Sequence, residues 1–329
     1  GLYIALSWTV SDLIGKRRHG RVILRTLAIA IPVFLALATS RQLGFWQDSR
    51  ALFQHALDVT RHNPAIHANL ADSLLDQGRL EEASAHCKEV FRLAPWLPQP
   101  YFTMGRIMGR KDEHQQAIRF YEKALALKPD SAAIHYRIGN EWLALQQIPK
   151  ALECYRRSLI LDRENSEAHN NLAHALDSLG QTRLAAFHYA EAIRVNPRYA
   201  EAHYNLAILL EKESNAAGAI RHYEEALRLD PRLAQAHYNL GNLLSNKKDY
   251  VQATTHYQAV LAIDPGNADA HNNLGVALVR QGMMDPAAQH FAMALQIRPD
   301  WESARQNLQA LERQPAQTVT GTDGKPSGE

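Results

Sequence analysis

The sequence has little cysteine and no excess of charge of either sign. Only Cys87 and Cys154 occur among its 329 residues, too far apart in the sequence to form a cysteine metal pair, and two cysteines are too few for a disulfide framework. Lys and Arg number 36 against 34 Asp and Glu, so the formal net charge is +2. Nucleic-acid-binding domains usually carry a concentrated basic face. The composition therefore predicts no nucleic-acid partner.

Motifs that carry chemistry are lacking as well. The sequence has no glycine-rich phosphate loop, no nucleophile elbow, and no HExxH or Cys/His cluster at ligand spacing. Abundant Ser, His and Asp residues are explained by solvated helix faces. We therefore predict no catalytic residue, no cofactor and no metal in this chain.

What the sequence does contain is an internal repeat of 34 residues, without insertion or deletion, across residues 64–301. The seven repeats are 64–97, 98–131, 132–165, 166–199, 200–233, 234–267 and 268–301. Counting the first residue of each repeat as position 1, position 20 is alanine in all seven: Ala83, Ala117, Ala151, Ala185, Ala219, Ala253 and Ala287. Position 8 is always Ala or Gly, and position 24 is aromatic in six repeats and Cys87 in the first.

The pattern within each repeat predicts two helices joined by a turn. Positions 4, 7, 8 and 11 share one helical face, and positions 20, 24, 27 and 28 share another. Small residues at positions 8 and 20 should let the two backbones approach closely. Proline at position 32, replaced only by Arg163, should end the second helix. The pattern resembles the tetratricopeptide family, which implies an all-α superhelical solenoid whose stacked repeats share one core.

The segments that flank the repeats also have distinct patterns. Residues 302–313 place Ala304, Leu308 and Leu311 at helical spacing, which predicts a C-terminal capping helix. Residues 41–63 are interpreted as a junction followed by a half-repeat helix that covers the first repeat. The tail, residues 314–329, is rich in Pro, Gly, Thr and Ser, and we expect it to be disordered.

Residues 1–40 have the pattern of a membrane segment. An apolar stretch begins at Val22 and ends at Thr39, and 18 residues of helix would span about 27 Å, close to the thickness of a bilayer core. The basic run at 16–21 should stay cytoplasmic by the positive-inside rule. The repeats would then be extracytoplasmic, in a periplasm or an organelle lumen.

Three interpretations of this segment remain open. Because a second apolar stretch precedes the basic run and the chain begins at Gly1, residues 22–39 are best explained as the last span of a longer multi-span protein. They could instead form a signal peptide or signal anchor with a cleavage site at 36–38, or a soluble helix that caps the repeats.

The junction resembles one group of multi-span glycosyltransferases. It reads RQLGFWQDS from Arg41 to Ser49 and continues as ALFQHAL from Ala51 to Leu57. This is similar to the transmembrane O-mannosyltransferases that act on cadherins, and to their bacterial relatives, in which many spans precede lumenal or periplasmic tetratricopeptide repeats. The family's acidic catalytic loop has no counterpart here, so the resemblance implies a non-catalytic C-terminal part of such an enzyme.

Histidine recurs in the repeats, at position 4 in six repeats and at position 23 in five. Position 4 usually holds a large packing residue. We therefore interpret these histidines as filling the seam between the two helices rather than binding a metal.

Asparagine gives the best functional signal, because it occupies position 6 of five repeats and faces away from the core. The candidate peptide-binding residues are Asn69, Asn171, Asn205, Asn239 and Asn273, and Thr103 and Arg137 interrupt the series. They resemble the asparagine ladder of the nucleocytoplasmic O-linked N-acetylglucosamine transferases, which implies a concave groove that holds polypeptides. The alternative is that asparagine at this position is only a common feature of such repeats.

These observations predict a membrane-anchored module that binds proteins or extended peptides. Its most specific role would be to recruit acceptors as the C-terminal region of a membrane glycosyltransferase. The alternative is a stand-alone envelope scaffold without enzyme activity.

Overall fold

The structure is a computed structural model that describes residue 60 and residues 62–313. These residues contain fifteen α-helices and no strand, which confirms the predicted all-α class and helix number for the repeats and the cap. They divide into two compact units, which we call the N-terminal unit (up to Lys150) and the C-terminal unit (from Ala151). The predicted membrane segment and tail lie outside the described residues, as do the junction and half-repeat helix apart from residues 60, 62 and 63.

The helices alternate between a first helix of 13 residues and a second helix of 14 residues in each repeat. The first six are α1 (Pro64–Asp76), α2 (Leu80–Leu93), α3 (Pro98–Arg110), α4 (His114–Leu127), α5 (Ala132–Ala144) and α6 (Ile148–Leu161). The next six are α7 (Ser166–Ser178), α8 (Thr182–Val195), α9 (Ala200–Lys212), α10 (Ala216–Leu229), α11 (Ala234–Asn246) and α12 (Tyr250–Ile263). The last three are α13 (Ala268–Arg280), α14 (Met284–Ile297) and α15 (Glu302–Glu312).

A left-handed residue at position 15 makes the turn between the two helices of every repeat. It is glycine in three repeats and another residue in four: Gly78, Asp112, Gln146, Gly180, Ser214, Lys248 and Gly282. At Gly180 the turn is closed by hydrogen bonds from Gly180 N to Asp177 O (2.8 Å) and from Gln181 N to Leu176 O (3.0 Å). This is the hydrogen-bond pattern of a helix that ends at a left-handed residue.

The second helix ends at position 30 in every repeat. In six repeats a proline follows at position 32, but α6 ends at Leu161 in the same register although Arg163 takes the place of proline. The proline is therefore compatible with the helix end without being required for it. Asparagine side chains cap the next first helix at Asn63, Asn165 and Asn267, each accepting backbone N–H groups.

The core of each repeat lies between its two helices. The seven alanines at position 20 are all 0% exposed, and the position 24 side chains are at most 2% exposed. The glycines at position 8 have a more specific role than the backbone approach predicted from the sequence. A Cβ at Gly105, Gly241 or Gly275 would lie 2.4, 2.9 or 2.7 Å from the aromatic ring at position 24 of the same repeat. The missing side chain therefore makes room for a ring.

The last helix, α15, covers the end of the C-terminal unit. Ala304 is 0% exposed, and Leu308 and Leu311 pack against the buried cluster that contains Phe291. The remaining side chains of α15 are largely exposed, as expected for the end of a repeat array. Among the described residues, no helix is long and apolar enough to span a bilayer.

Candidate functional site

Four of the five predicted asparagines follow one another on the first helices of the C-terminal unit. Asn171, Asn205, Asn239 and Asn273 lie on α7, α9, α11 and α13, and we call these four the amide ladder. The fifth, Asn69, is an exposed residue of α1 in the N-terminal unit. The amide ladder residues are only partly exposed, so they do not simply face solvent as the helical periodicity suggested.

Hydrogen bonds link three of these four residues to the preceding repeat. Each of three ladder residues donates its side-chain N–H to the side chain at position 5 of the preceding repeat. These bonds run from Asn205 to Asn170 Oδ1 (3.0 Å), from Asn239 to Tyr204 Oη (3.3 Å) and from Asn273 to Tyr238 Oη (3.1 Å). The same arrangement continues onto the cap, where Asn307 donates to Asn272 Oδ1 (3.1 Å). Positions 5 and 6 therefore link each first helix to the next.

A second set of bonds ties the ladder to the aromatic core. Asn273 also donates to Asn242 Oδ1 (3.0 Å), and that same oxygen accepts the hydroxyl of Tyr257 (2.8 Å). In the repeat before, the core residue Tyr223 donates its hydroxyl to Glu211 Oε2 (2.9 Å). Burial raises the pKa of Tyr257 to about 12, so its hydroxyl stays protonated and remains a donor at physiological pH.

The intramolecular bonds use different atoms of the four ladder amides. In Asn205 and Asn239 the Nδ2 atom is directed to the preceding repeat, and within the described residues neither Oδ1 atom accepts a hydrogen bond. In Asn273 the Oδ1 atom accepts from Asn272 Nδ2 (3.2 Å), and in Asn171 it accepts from Asn170 Nδ2 (3.2 Å). The two middle residues of the amide ladder thus each have a carbonyl oxygen that accepts no hydrogen bond from the described residues.

Helical periodicity predicted that the ladder asparagines share a face, but it did not predict their hydrogen bonds to position 5 of the preceding repeat. The signal that could have found them is the composition of position 5, which is Asn170, Tyr204, Tyr238 and Asn272 in the last four repeats. Each of these side chains carries an oxygen that can accept an N–H group. A donor at position 6 next to an acceptor at position 5 of the preceding repeat is the pattern of a structural link.

The histidines at positions 4 and 23 meet in pairs across the seam between the two helices of a repeat. His67 and His86 do so in the N-terminal unit, with 2.8 Å between their Nδ1 atoms. The seam position agrees with the interpretation from the sequence. In the described part of the chain no group of three or more His, Cys, Asp or Glu side chains is arranged to hold a metal ion.

Comparison with known families matches the repeats in both units. Models described as tetratricopeptide repeats match residues 63–130, 166–199 and 246–312, and a model described as TPR repeat matches residues 215–248. Among curated proteins, the protein O-mannosyl-transferase TMTC1 of Mus musculus is 30% identical over 81 residues. That match covers 25% of this chain and only 9% of TMTC1, so this chain spans a small part of its relative.

Solved structures share the fold at low sequence identity. PilF of Pseudomonas aeruginosa has a TM-score of 0.58 and 22% identity, over 65% of this chain and 96% of PilF. The Cut9 and Hcn1 hetero-tetramer of the APC/C has a TM-score of 0.59 and 17% identity, over 80% of this chain and 52% of the matched chain. YrrB, described as a TPR protein with an unusual peptide-binding site, has a TM-score of 0.50 and 23% identity, over 56% of this chain and 96% of its own.

The matched repeats, the alternating helices and the buried alanine at position 20 agree with one another. The TMTC1 match confirms that this chain resembles the O-mannosyltransferase group. This chain is a tetratricopeptide-repeat protein.

Proposed function

We propose that the amide ladder binds extended polypeptides along the first helices of the C-terminal unit. The observation that carries this proposal is the fixed orientation of Asn205 and Asn239, whose Nδ2 atoms are held by the preceding repeat while their Oδ1 atoms accept no bond from the described residues. A carbonyl oxygen can accept the backbone N–H of any amino acid except proline. A ligand would therefore be recognised by its main chain.

Preorganisation supports this proposal. A side chain that is already ordered loses less conformational entropy when it binds a ligand, so each new hydrogen bond contributes more to the affinity. The half-burial of the ladder residues has the same effect, because few rotamers remain open to them. Asn205 and Asn239 lie in consecutive repeats, so their two acceptors suit an extended chain that contacts both repeats in turn.

We propose further that the chain is the acceptor-recruiting C-terminal region of a membrane glycosyltransferase. The resemblance of residues 41–57 to the O-mannosyltransferase group and the similarity to TMTC1 support this role. In this proposal residues 22–39 tether the chain to a membrane, and the repeats lie on the extracytoplasmic side. The peptide-binding ladder would hold acceptor proteins near the enzyme.

The binding proposal is tested by two variants that delete the same intramolecular hydrogen bond from opposite ends. Asn239→Ala removes the donor and also the ladder carbonyl, whereas Tyr204→Phe removes only the acceptor hydroxyl and leaves the carbonyl of Asn239 in place. Binding of a carboxymethylated, permanently unfolded protein is measured by titration calorimetry, and folding is checked by thermal unfolding.

A lost hydrogen bond costs roughly 0.5–1.5 kcal/mol, so Asn239→Ala should weaken binding about 2- to 10-fold. The double variant Asn205→Ala with Asn239→Ala should weaken it about 5- to 150-fold. Tyr204→Phe should weaken binding less than Asn239→Ala does, because the carbonyl of Asn239 remains although its amide is no longer held by Tyr204. Equal losses for Asn239→Ala and Tyr204→Phe would show that the asparagines only hold the repeats together.

The membrane and enzyme part of the proposal needs separate experiments. A reporter that is active only outside the cytoplasm, fused after Arg313, should be active, and activity of a cytoplasm-only reporter there would refute the orientation. Deletion of residues 166–301 from the protein in its host should reduce sugar attachment to acceptor proteins, as measured by mass spectrometry of secreted proteins. Unchanged glycosylation would instead favour a scaffold without enzyme activity.

A further inference from the structure

The C-terminal unit contains four histidine pairs, one in each of its last four repeats. Each pair joins position 4 of the first helix to position 23 of the second helix, with ring centroids 5.2–5.3 Å apart. The distances between the two Nδ1 atoms are 3.0 Å for His169 and His188, 3.1 Å for His203 and His222, 3.0 Å for His237 and His256, and 3.0 Å for His271 and His290. These are hydrogen-bond distances.

The positions of the protons in each pair follow from the neighbours of the rings. The Nε2 atom of the position 4 histidine lies near the backbone carbonyl six residues earlier, as in His237 with Pro231 O (3.2 Å) and His271 with Pro265 O (3.1 Å). A carbonyl only accepts, so this Nε2 atom carries a hydrogen and the Nδ1 atom of a neutral ring does not. The Nδ1 atom of the position 23 histidine must then be the donor.

Each pair therefore has room for one proton between its two Nδ1 atoms. If both rings became imidazolium, two N–H groups would face each other at about 3 Å and two positive charges would lie side by side. Both forms of repulsion oppose full protonation of the folded pair. The rings cannot turn away freely, because His169, His203 and His271 are buried.

We propose that the four histidine pairs act as an acid-sensitive contact, which we call the latch. The latch holds the two helices of each of these four repeats together near neutral pH and releases them in acid. This inference rests on the geometry of the repeats and does not depend on the proposed binding function. If polypeptides do bind the amide ladder, opening of the latch would also release them.

Charged groups lie near the first two of these pairs. Glu164, Glu191, Arg156 and Arg194 act on His169 or His188, and Glu225, Arg221 and Arg228 act on His203 or His222. Among the described residues, the only titratable group whose charge acts on His256 is His237, and the only one that acts on His290 is His271. His256 and His290 are therefore the clearest cases, because no described carboxylate raises the pKa of either ring.

The pKa directions agree with this geometry. Burial, followed by the charge of the partner ring, lowers the pKa of His256 and of His188 to about 4. Burial also lowers the pKa of His203, His222 and His290. An unfolded histidine has a pKa near 6.5. The stabilisation is thus complete above about pH 6.5 and is lost as the pH falls toward 4, because the unfolded chain binds more protons in this range.

Another repeat of the chain shows which side chains can replace a histidine pair. In the repeat 98–131, Tyr101 occupies position 4 and Phe120 occupies position 23. We therefore replace each of the four pairs by tyrosine and phenylalanine in the full chain (H169Y/H188F, H203Y/H222F, H237Y/H256F and H271Y/H290F). As a control, His174→Gln removes an exposed histidine that belongs to no pair.

Urea unfolding of the three proteins is followed by circular dichroism between pH 7.5 and 4.5. Between pH 6 and 5 the unfolding equilibrium constant of the unmodified chain should rise by about tenfold for each extra proton that the unfolded chain binds. The four-pair variant should lack most of this rise, and His174→Gln should keep it. An equal pH dependence in the four-pair variant and the unmodified chain would overturn the proposal.

Ring ¹⁵N chemical shifts of the unmodified chain test the latch even if the variant does not fold. At pH 7.5 the position 4 rings should carry hydrogen on Nε2 and the position 23 rings on Nδ1, and the position 23 rings should titrate below pH 6.5. Hydrogen on Nε2 of both rings of a pair, or titration at pH 6.5, would contradict the proton arrangement that the latch requires.

Discussion

Replacement of Gly105 by alanine tests how the two helices of a repeat fit together. An added Cβ would lie 2.4 Å from Cε1 and 2.5 Å from Cδ1 of Tyr121, far closer than the contacts that real Cβ atoms make. The Tyr121 ring is only 1% exposed, so it cannot move into solvent. The ring and the helix that carries it must shift instead.

The expected cost follows from two opposing effects. Overpacking of a core costs about 1–3 kcal/mol, while alanine is favoured over glycine within a helix by about 0.5–1 kcal/mol. We expect a net loss of about 0.5–2 kcal/mol for Gly105→Ala. Gly241→Ala is the matched control, because its Cβ would lie 2.9 Å from the nearest atom of Tyr257 and needs a smaller shift.

The assay is urea unfolding of the full chain, followed by far-UV circular dichroism.

Ala207 shows that alanine can occupy position 8 opposite a buried tyrosine, since Tyr223 is 0% exposed in the same repeat. Gly105→Ala should therefore be less stable than Gly241→Ala, which should lie within about 0.5 kcal/mol of the unmodified chain. The reasoning is refuted if Gly105→Ala is as stable as the unmodified chain, or if the order of the two variants is reversed.

Two further predictions concern the turns and the helix ends. A Cβ at Gly180 would meet no atom within 4 Å, so Gly180→Ala causes no steric clash. Its φ of 70° is a left-handed conformation that alanine disfavours. Gly180→Ala should therefore lower the free energy of unfolding in urea by about 1 kcal/mol. A stabilised variant would show that position 15 is not held left-handed in solution. Asn267→Ala removes the side chain that accepts Ala270 N (2.9 Å) at the start of α13 and should lower the free energy of unfolding by about 1 kcal/mol. Thermal unfolding with an unchanged midpoint would contradict that capping role.

The repeat period was sufficient to predict the fold of the described residues. Alanine occupies position 20 of all seven repeats and is fully buried there, and such a uniform packing position leaves a strict pattern in the sequence. The left-handed residue at position 15 left a weaker pattern. Glycine occurs there in three repeats, but Lys248 and Gln146 adopt the same conformation, so the turn tolerates side chains that the sequence alone would not suggest.

The candidate site was predicted less completely. Helical periodicity places Asn205 and Asn239 away from the core of their own repeat, but it contains no information about the repeat before them. Their half-burial and their bonds to Asn170 and Tyr204 depend on how successive first helices pack. The positions of the histidines in the repeat were enough to predict that they lie at the seam. The arrangement of their protons could not be predicted, because it depends on the distance between each position 4 ring and a backbone carbonyl.

The most direct test of ligand binding follows the side-chain amide signals of the amide ladder by NMR while a carboxymethylated, unfolded protein is added. If the ladder binds main chains, the signals of Asn205 and Asn239 should shift in proportion to occupancy, because their carbonyl oxygens gain a hydrogen bond. The signals of the N-cap Asn267, which lies outside the ladder, should stay in place. Binding that leaves the signals of Asn205 and Asn239 unchanged would contradict the account.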